Sequence, residues 1–242
     1  MLASRFEYDN KIEVGIDEAG RGCFWGPIMA GAVVLSPEDY WSSEFKEFVL
    51  EIRDSKKISP KKRVRIAEQI KSCVLSWSVG SVSAADIDEK GITWANQEAF
   101  RRAVAGLNVT PERLIIDGAL ELPENDIEQQ VIVEADGKYI HVAAASILAK
   151  VEHDIWVEEF CRKNPEYEEK YSLLSSKGYG TLKHREGLIK NGSHEYHRKT
   201  FIYKYVSDEE KKHIDSITKK QTKSMTTFKK GLNFNKCLIQ SL

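Results

Sequence analysis

Residues 11–35 read KIEVGIDEAGRGCFWGPIMAGAVVL, and their pattern decides the fold. Lys11–Ile16 alternates polar and apolar side chains and then turns apolar, as a strand does on entering a core. Ile28–Leu35 is small, apolar and valine-rich, which predicts a second buried strand. Gly20, Gly22 and Gly26-Pro27 punctuate the short connection, so the two strands are expected to form a hairpin. The first strand is expected to stop at Asp17-Glu18, just before Ala19-Gly20. Two carboxylates at a buried strand end are costly unless a cation is bound there. Successive strand residues point to opposite faces. Both acids therefore reach one ion only if the strand twists or ends there, or if Glu18 offers its backbone carbonyl.

Downstream, Ser59 and Pro60 look like the N-cap and first residue of a helix over KKRVRIAEQIKSC. VLSWSVGSVS (74–83) alternates as a strand, and Ile92–Leu107 has helical periodicity. RLIID (113–117) and QQVIVEA (129–135) read as two more strands. VAAASILAKVEHDIWVEEFC (142–161) carries an apolar stripe at helical spacing and begins with small residues, which predicts a long helix packed tightly at its start. Strands alternating with helices, then a helical part from about residue 142, specify an α/β fold with a mixed sheet over residues 1–206. Residues 207–242 are rich in Lys, Ser and Thr and are expected to form a basic C-terminal appendage. Within it TKSMTTFKK (222–230) faintly resembles peptides that dock on sliding clamps, with Thr222 in the Gln position and Lys229 in that of the second aromatic. Three readings stay open for this stretch: clamp docking, a basic segment adding duplex affinity, or a helix packed on the main body.

The chain of 242 residues carries a net charge of −1, so any contact with a polyanion must be made by local charge. Apolar content of 41% and charged content of 30% are those of a globular protein with its own core. Cys23, Cys73, Cys161 and Cys237 form no C-x-x-C pair and read as free thiols. The N-terminal residues lack an apolar signal core, and no apolar run approaches bilayer length. These features lead to the expectation of a cytoplasmic monomer without membrane contact. Lys56, Lys57, Lys61, Lys62 and Arg63 cluster early, and Lys177, Lys183, Arg185, Lys190, Arg198, Lys199 and Lys204 cluster late. The acidic stretches Pro37–Glu51 and Glu152–Glu169 are expected on the opposite side.

Asp117 ends the run LII before Gly118, and Asp136 follows VIVEA before Gly137. Singly, each Asp-Gly is an ordinary turn. Together with Asp17-Glu18 they place acids at the ends of three expected strands, where an α/β sheet assembles a site at its edge. All-oxygen ligands suit Mg²⁺ or Mn²⁺ and not zinc.

The stretches around these acids complete the sequence reading: GIDEAGRG (15–22) followed by GP (26–27), DSKKIS (54–59), IIDG (115–118), AAASILAKV (143–151), KGYGT (177–181) and HRKTF (197–201). In this order and wording, over roughly residues 10–205, the chain resembles the ribonuclease HII family. The resemblance implies a ribonuclease H-like fold, a mixed five-stranded sheet flanked by helices with a helical C-terminal extension. It implies an endonuclease that hydrolyses the RNA strand of RNA/DNA hybrids and cuts 5′ to single ribonucleotides in DNA duplexes. Two Mg²⁺ or Mn²⁺ ions would serve it, and the products would carry 5′-phosphate and 3′-hydroxyl ends. Carried over by position, the metal-binding acids fall on Asp17, Glu18, Asp117 and Asp136. Asp136 is placed ten residues before Ser146, and the preceding Glu134-Ala135 departs from the usual Lys-Gly.

Gly20, Arg21 and Gly22 are the family's readers of the ribose 2′-hydroxyl, Lys56 is expected at the duplex, and Tyr179 is expected against the neighbouring deoxyribose. Cys23 and Gly180 each replace a proline of the family pattern, and His153 replaces an arginine. Arg21 separates the chain from the sister family, ribonuclease HIII, which carries Gly-Thr-Gly there. The chemistry agrees: two divalent ions activate water and stabilise a leaving oxyanion, glycines let backbone approach a sugar–phosphate, and backbone contact with a 2′-hydroxyl distinguishes RNA from DNA. Two rivals compete. A catalytically idle binding module would not need all four acids, and a small-molecule phosphatase would not need basic clusters or a ribose-reading loop.

Overall fold

The computed structural model describes residues 2–53 and 55–220. Strands β1 (Glu13–Ala19) and β2 (Ile28–Val34) form the expected antiparallel hairpin, with Asp17 opposite Gly31. Helices α1 (Ser43–Val49) and α2 (Pro60–Cys73) lead to β3 (Ser76–Val82), antiparallel to β2. Helices α3 (Ala84–Lys90) and α4 (Ile92–Ala105) precede β4 (Arg113–Asp117) and β5 (Glu128–Ile132). β4 runs parallel to β1, and β5 parallel to β4. The result is a mixed five-stranded sheet of order β3-β2-β1-β4-β5, with β1 at its centre. The long α5 (Ile140–Lys163) crosses the sheet, and α6 (Pro165–Tyr171), α7 (Leu173–Ser176), α8 (Leu182–Asn191) and α9 (Lys199–Ile202) build the helical C-terminal part.

Strand alternation sorts the core into two layers. Val14, Ile16, Leu114 and Ile116 face α4 and pack with Ala95, Ala99 and Phe100. On the other face Val33 packs with Ala143, Ala144 and Ile147 of α5, backed by Ile66 and Ile70 of α2. The apolar stripe expected on α5 is a full belt instead: every residue from Ile140 to Ala149 is buried. That end of the helix is enclosed by the sheet on one side and by α2 and its neighbours on the other.

The contact with the sheet is made by backbone. A Cβ on Gly15 would lie 2.3 Å from the His141 carbonyl carbon, and one on Gly31 would lie 2.3 Å from the Ala145 carbonyl oxygen. At the opposite end of β4, the buried guanidinium of Arg113 pairs with Glu7, Asp9, Glu13 and Glu128 and ties down the N-terminal segment.

Several boundaries differ from expectation. β1 runs on through Asp17 and Glu18 to Ala19, because its ladder with β2 continues to the Ala19–Met29 pair. β5 stops at Ile132, and Asp136 sits in a 3-10 turn over Ala135–Gly137. Of the three expected strand ends bearing acids, only that at Asp117 is one. Helices α1 and α3 had no counterpart in the sequence reading; both are short, about two turns each, and capped by a serine, Ser42 and Ser83.

Residues 208–220, expected in an appendage, are helical and lie on the body. Ile214 is buried among the C-terminal helices, Asp215 accepts from the Tyr203 hydroxyl, and Thr218 accepts from the Ser193 amide. The clamp-like TKSMTTFKK stretch lies outside the described residues. Among the described residues no helix is long and apolar enough to cross a membrane.

Two measurements test this packing. Gly31→Val should destabilise the protein by about 3 kcal/mol or more, since the clash is with main chain that cannot swing away. A denaturation midpoint like that of the parent would show that α5 does not lie on the sheet as described.

His141, buried in α5 with Glu13 at 3.9 Å, has its pKa lowered to about 4 by burial. The unfolded chain therefore binds a proton that the folded chain refuses between pH ~6.5 and 4. This contribution to stability is present above pH ~6.5 and is lost as pH falls towards 4, with a slope of roughly 1.4 kcal/mol per pH unit for each such proton. His141→Leu should flatten the stability–pH curve by about one proton in that window; an unchanged slope in urea titrations would rule the assignment out.

Candidate active site on the central strands

β1 and β4 are in register, Ile16 beside Ile116, so Asp17 and Asp117 are neighbours across the ladder. Both share strand parity with residues that face α5. Gly15 lies under His141 and Val142, and Ile115 packs with Val142 and Ala135. Asp17 is buried, accepts from the Glu18 amide at 2.6 Å and hydrogen-bonds Ser146 of α5. Ser146 in turn meets the Ser55 hydroxyl at 3.2 Å, which brings DSKKIS against AAAS. Lys56 follows Ser55 in the 3-10 turn Ser55–Lys57 and is exposed beside the site. Asp117 accepts from the Ala135 amide at 2.6 Å, so Asp136 sits one residue from that contact and is half-buried.

Glu18 has the opposite parity and leaves on the α4 face, where Asn96 hydrogen-bonds it and Arg21 lies 3.5 Å away. The strand neither ends nor inverts between the two acids. Asp17 and Asp117 thus share one face, Asp136 is next to them, and the Glu18 side chain stands on the other. Among the described residues no three Asp, Glu, His or Cys side chains close into a metal-ligating group as they stand.

The electrostatics suit a cation. Burial pushes the Asp17 carboxyl well above the usual carboxylate range. The Glu18 and Asp117 charges push it further, against the Ser146 hydrogen bond. Burial raises Glu18 as well, with Arg21 opposing. Carboxylates that resist ionising together, in an all-oxygen setting, fit a hard divalent ion that would offset their repulsion.

Beyond β1 the chain turns through Gly20, whose φ of 78° favours glycine, into Arg21 and Gly22. Arg21 is exposed. Tyr179 is 39% exposed and lies over this loop, its ring 3.9 Å from where a Gly22 Cβ would stand, with the Lys150 ammonium 5.5 Å from its centroid. Two of the departures from the family pattern, Cys23 and His153, meet behind this loop, and a third, Gly180, adjoins Tyr179 in the chain. Cys23 is buried with its sulfur 3.7 Å from His153 Nε2 and its thiol pushed up to about 12 by burial. The His153 ring fills the space where a Gly20 Cβ would stand, and Gly180 lies flat on the Phe24 ring.

Two members of the expected basic clusters do not reach solvent. Arg63 is buried and donates to the Ser55 and Ile58 carbonyls, and Arg198 is wholly buried. Lys62 pairs with Glu51 at 2.7 Å and Lys177 with Glu158 at 2.5 Å, so the acidic stretches adjoin the basic clusters instead of opposing them. Lys56, Lys57, Lys61, Lys183, Lys190, Lys199 and Lys204 are exposed. The sequence reading missed Asn96, a polar residue on an otherwise apolar face of α4, and that isolation was its available signal.

The family pattern described as Ribonuclease HII matches residues 14–205. Ribonuclease HII of Parabacteroides distasonis is 42% identical over 191 residues, covering 79% of this chain and 90% of that one. That of Bacteroides thetaiotaomicron is 42% identical over 196 residues, covering 80% and 92%. Among solved structures, ribonuclease H2 from Pyrococcus horikoshii superposes with a TM-score of 0.66 at 25% identity, over 84% of this chain and 98% of that one. The RNase HII of Archaeoglobus fulgidus, solved in complex with PCNA, gives 0.59 at 30% identity, over 74% and 86%. Fold and relatives together define a hydrolase of the ribonuclease H class. The chain belongs to the ribonuclease HII family.

The Ser146–Asp17 hydrogen bond carries its own test. Ser146→Ala should weaken Mn²⁺ binding by roughly 10-fold while the protein stays folded, because a supporting hydrogen bond orients the ligand and holds it ionised. Calorimetric titration giving the parent's affinity would remove Ser146 from the site.

Proposed function

We propose that the protein hydrolyses the RNA strand of RNA/DNA hybrids and cuts 5′ to single ribonucleotides in duplex DNA, leaving 5′-phosphate and 3′-hydroxyl ends. The observation that carries this is the side-by-side placement of Asp17 and Asp117 next to a glycine loop covered by a half-exposed tyrosine. Asp17, Asp117 and Asp136, with Glu18 through its carboxylate or carbonyl, would hold two Mg²⁺ or Mn²⁺ ions. Such ions, when bound, supply an activated water and charge stabilisation for the leaving oxygen.

The chain's own groups do the rest. Ser146 and Asn96 orient Asp17 and Glu18. Gly20, Arg21 and Gly22 present backbone and a guanidinium to the 2′-hydroxyl and its phosphate. Tyr179 covers the adjoining deoxyribose, and the exposed lysines, Lys56 among them, hold the duplex through its phosphates.

The experiment is a cleavage assay on a duplex containing one ribonucleotide, with Mg²⁺ and with Mn²⁺. Asp17→Asn and Asp117→Asn should each lose at least ~100-fold in turnover while remaining folded, and an all-DNA duplex should be inert. Near-parental turnover by either variant, or equal cutting of the all-DNA duplex, would defeat the proposal.

A further inference from the structure

In the HRKTF stretch His197 and Arg198 have no part in the chemistry above, yet Arg198 is among the largest fully buried side chains. Among the described residues no carboxylate lies within ion-pair distance of it. Its Nε donates to the Gly26 carbonyl at 2.9 Å, and its Nη1 donates to the carbonyls of Gly20 at 2.8 Å and Arg21 at 3.0 Å. Apart from these carbonyls it has the Phe201 ring, with Cζ 5.4 Å from the centroid, and its Nη2 has no hydrogen-bond partner among the described residues. Holding a guanidinium out of water on those terms is costly, so the gain must come from what the carbonyls do. In a trans peptide the C=O and the following N–H point in opposite directions. With the Gly20 and Arg21 carbonyls drawn inward to Arg198, the amides of Arg21 and Gly22 are turned outward, to the side where a ribose would lie.

The preceding residue acts on the other loop. The His194 amide donates to His197 Nδ1 at 2.8 Å, which leaves Nε2 as the protonated nitrogen of that ring. His197 Nε2 lies 3.1 Å from His184 Nε2, and His184 Nδ1 lies 2.9 Å from the Tyr179 carbonyl. Only one arrangement of protons satisfies all three contacts: His197 Nε2–H donates to His184, and His184 Nδ1–H donates to Tyr179. Main chain closes the assembly. The Phe24 and Trp25 amides donate to the Gly178 carbonyl, the Gly26 amide donates to Tyr196, and the Arg198 amide donates to Phe24. Asp88 of α3 fixes the whole segment by accepting from the Lys199 and Thr200 amides.

We infer that His197-Arg198 is a buried positioning clamp that sets the Gly20–Gly22 amides and Tyr179 at a fixed spacing, so that ribose reading depends on two residues that never touch substrate. This rests on the proposed function for what the two loops read, but not for the existence of the clamp.

The test is Arg198→Lys, which keeps the charge but cannot span three carbonyls. Hydrogen–deuterium exchange reads the clamp whatever the enzyme cuts. Residues 20–26 and 178–181 should exchange about 10-fold faster or more, with β1 unchanged. On the ribonucleotide-containing duplex kcat should fall by about 100-fold, as when oriented donors are lost. KM should stay within about threefold of the parent, because the exposed lysines still bind phosphates. Mn²⁺ stoichiometry should match the parent, which excludes loss of folded protein as the cause.

Parental exchange rates in both loops, or parental kcat in the folded variant, would overturn the clamp. If the parent itself does not cut the duplex, the proposed function falls, and exchange alone still decides the clamp. Should Arg198→Lys not fold, Asp88→Ala replaces it, loosening the same segment from outside the core. Faster exchange in the two loops supports the clamp, and unchanged exchange overturns it.

Discussion

The structure depends on the main-chain contact between α5 and the β1–β2 hairpin. Gly15 and Gly31 remove the side chains that would hold the helix off the sheet, and Ala143, Ala144 and Ala145 do the same from the helix side. At that distance Ser146 reaches Asp17, and through Ser55 the turn bearing Lys56 is drawn to the same place. A helix one side-chain layer further away would keep the core but lose the site. Packing and chemistry are therefore the same constraint here, because the close-packed interior transmits any displacement of α5 directly to the acids.

The second organising feature is the division of buried charge. Arg113 gathers four carboxylates at one end of the central strands, where the pairs satisfy one another and only structure results. At the other end Asp17 is buried beside Asp117, with Glu18 half-buried on the opposite face of the same strand, and burial holds the Asp17 and Glu18 carboxyls above the usual range. An imbalance of that kind costs stability in the free protein and is relieved by taking up a proton or by a bound cation. Arg21, within 3.5 Å of Glu18, partly compensates it.

The third is the C-terminal helical part, which does more than enlarge the core. Trp25 from the β1–β2 connection is buried among Phe160, Tyr171, His194 and His197. The connection is thereby held as firmly as a strand. Cys23 and His153, separate departures in the sequence, are one local solution in space, a thiol and an imidazole in contact, while Gly180 leaves room for the Phe24 ring.

Much of this was legible in the sequence, because strands and helices announce themselves through local periodicity and the acids through their place in it. The hairpin of residues 11–35, the strand ending at Asp117, the long helix after residue 140 and the mixed α/β class are all consequences of short-range pattern. Strand alternation already set Asp17 and Glu18 on opposite faces unless the strand twisted or ended there; that it does neither, and which distant acid joins Asp17, was not legible. Asp17 and Glu18 are adjacent in the chain, yet continued pairing of β1 with β2 sends them to opposite sides, while the parallel register brings Asp117, a hundred residues away, beside Asp17. The roles of Arg63 and Arg198 were likewise hidden. A charged residue in a basic run looks solvated until the tertiary fold encloses it, and only the carbonyls that enclosure gathers around it show why it is there. The sequence alone determined the elements and the inventory of reactive groups, since both are written in local order. The tertiary structure alone decided which groups meet, since register and enclosure are set by contacts between residues far apart in the chain.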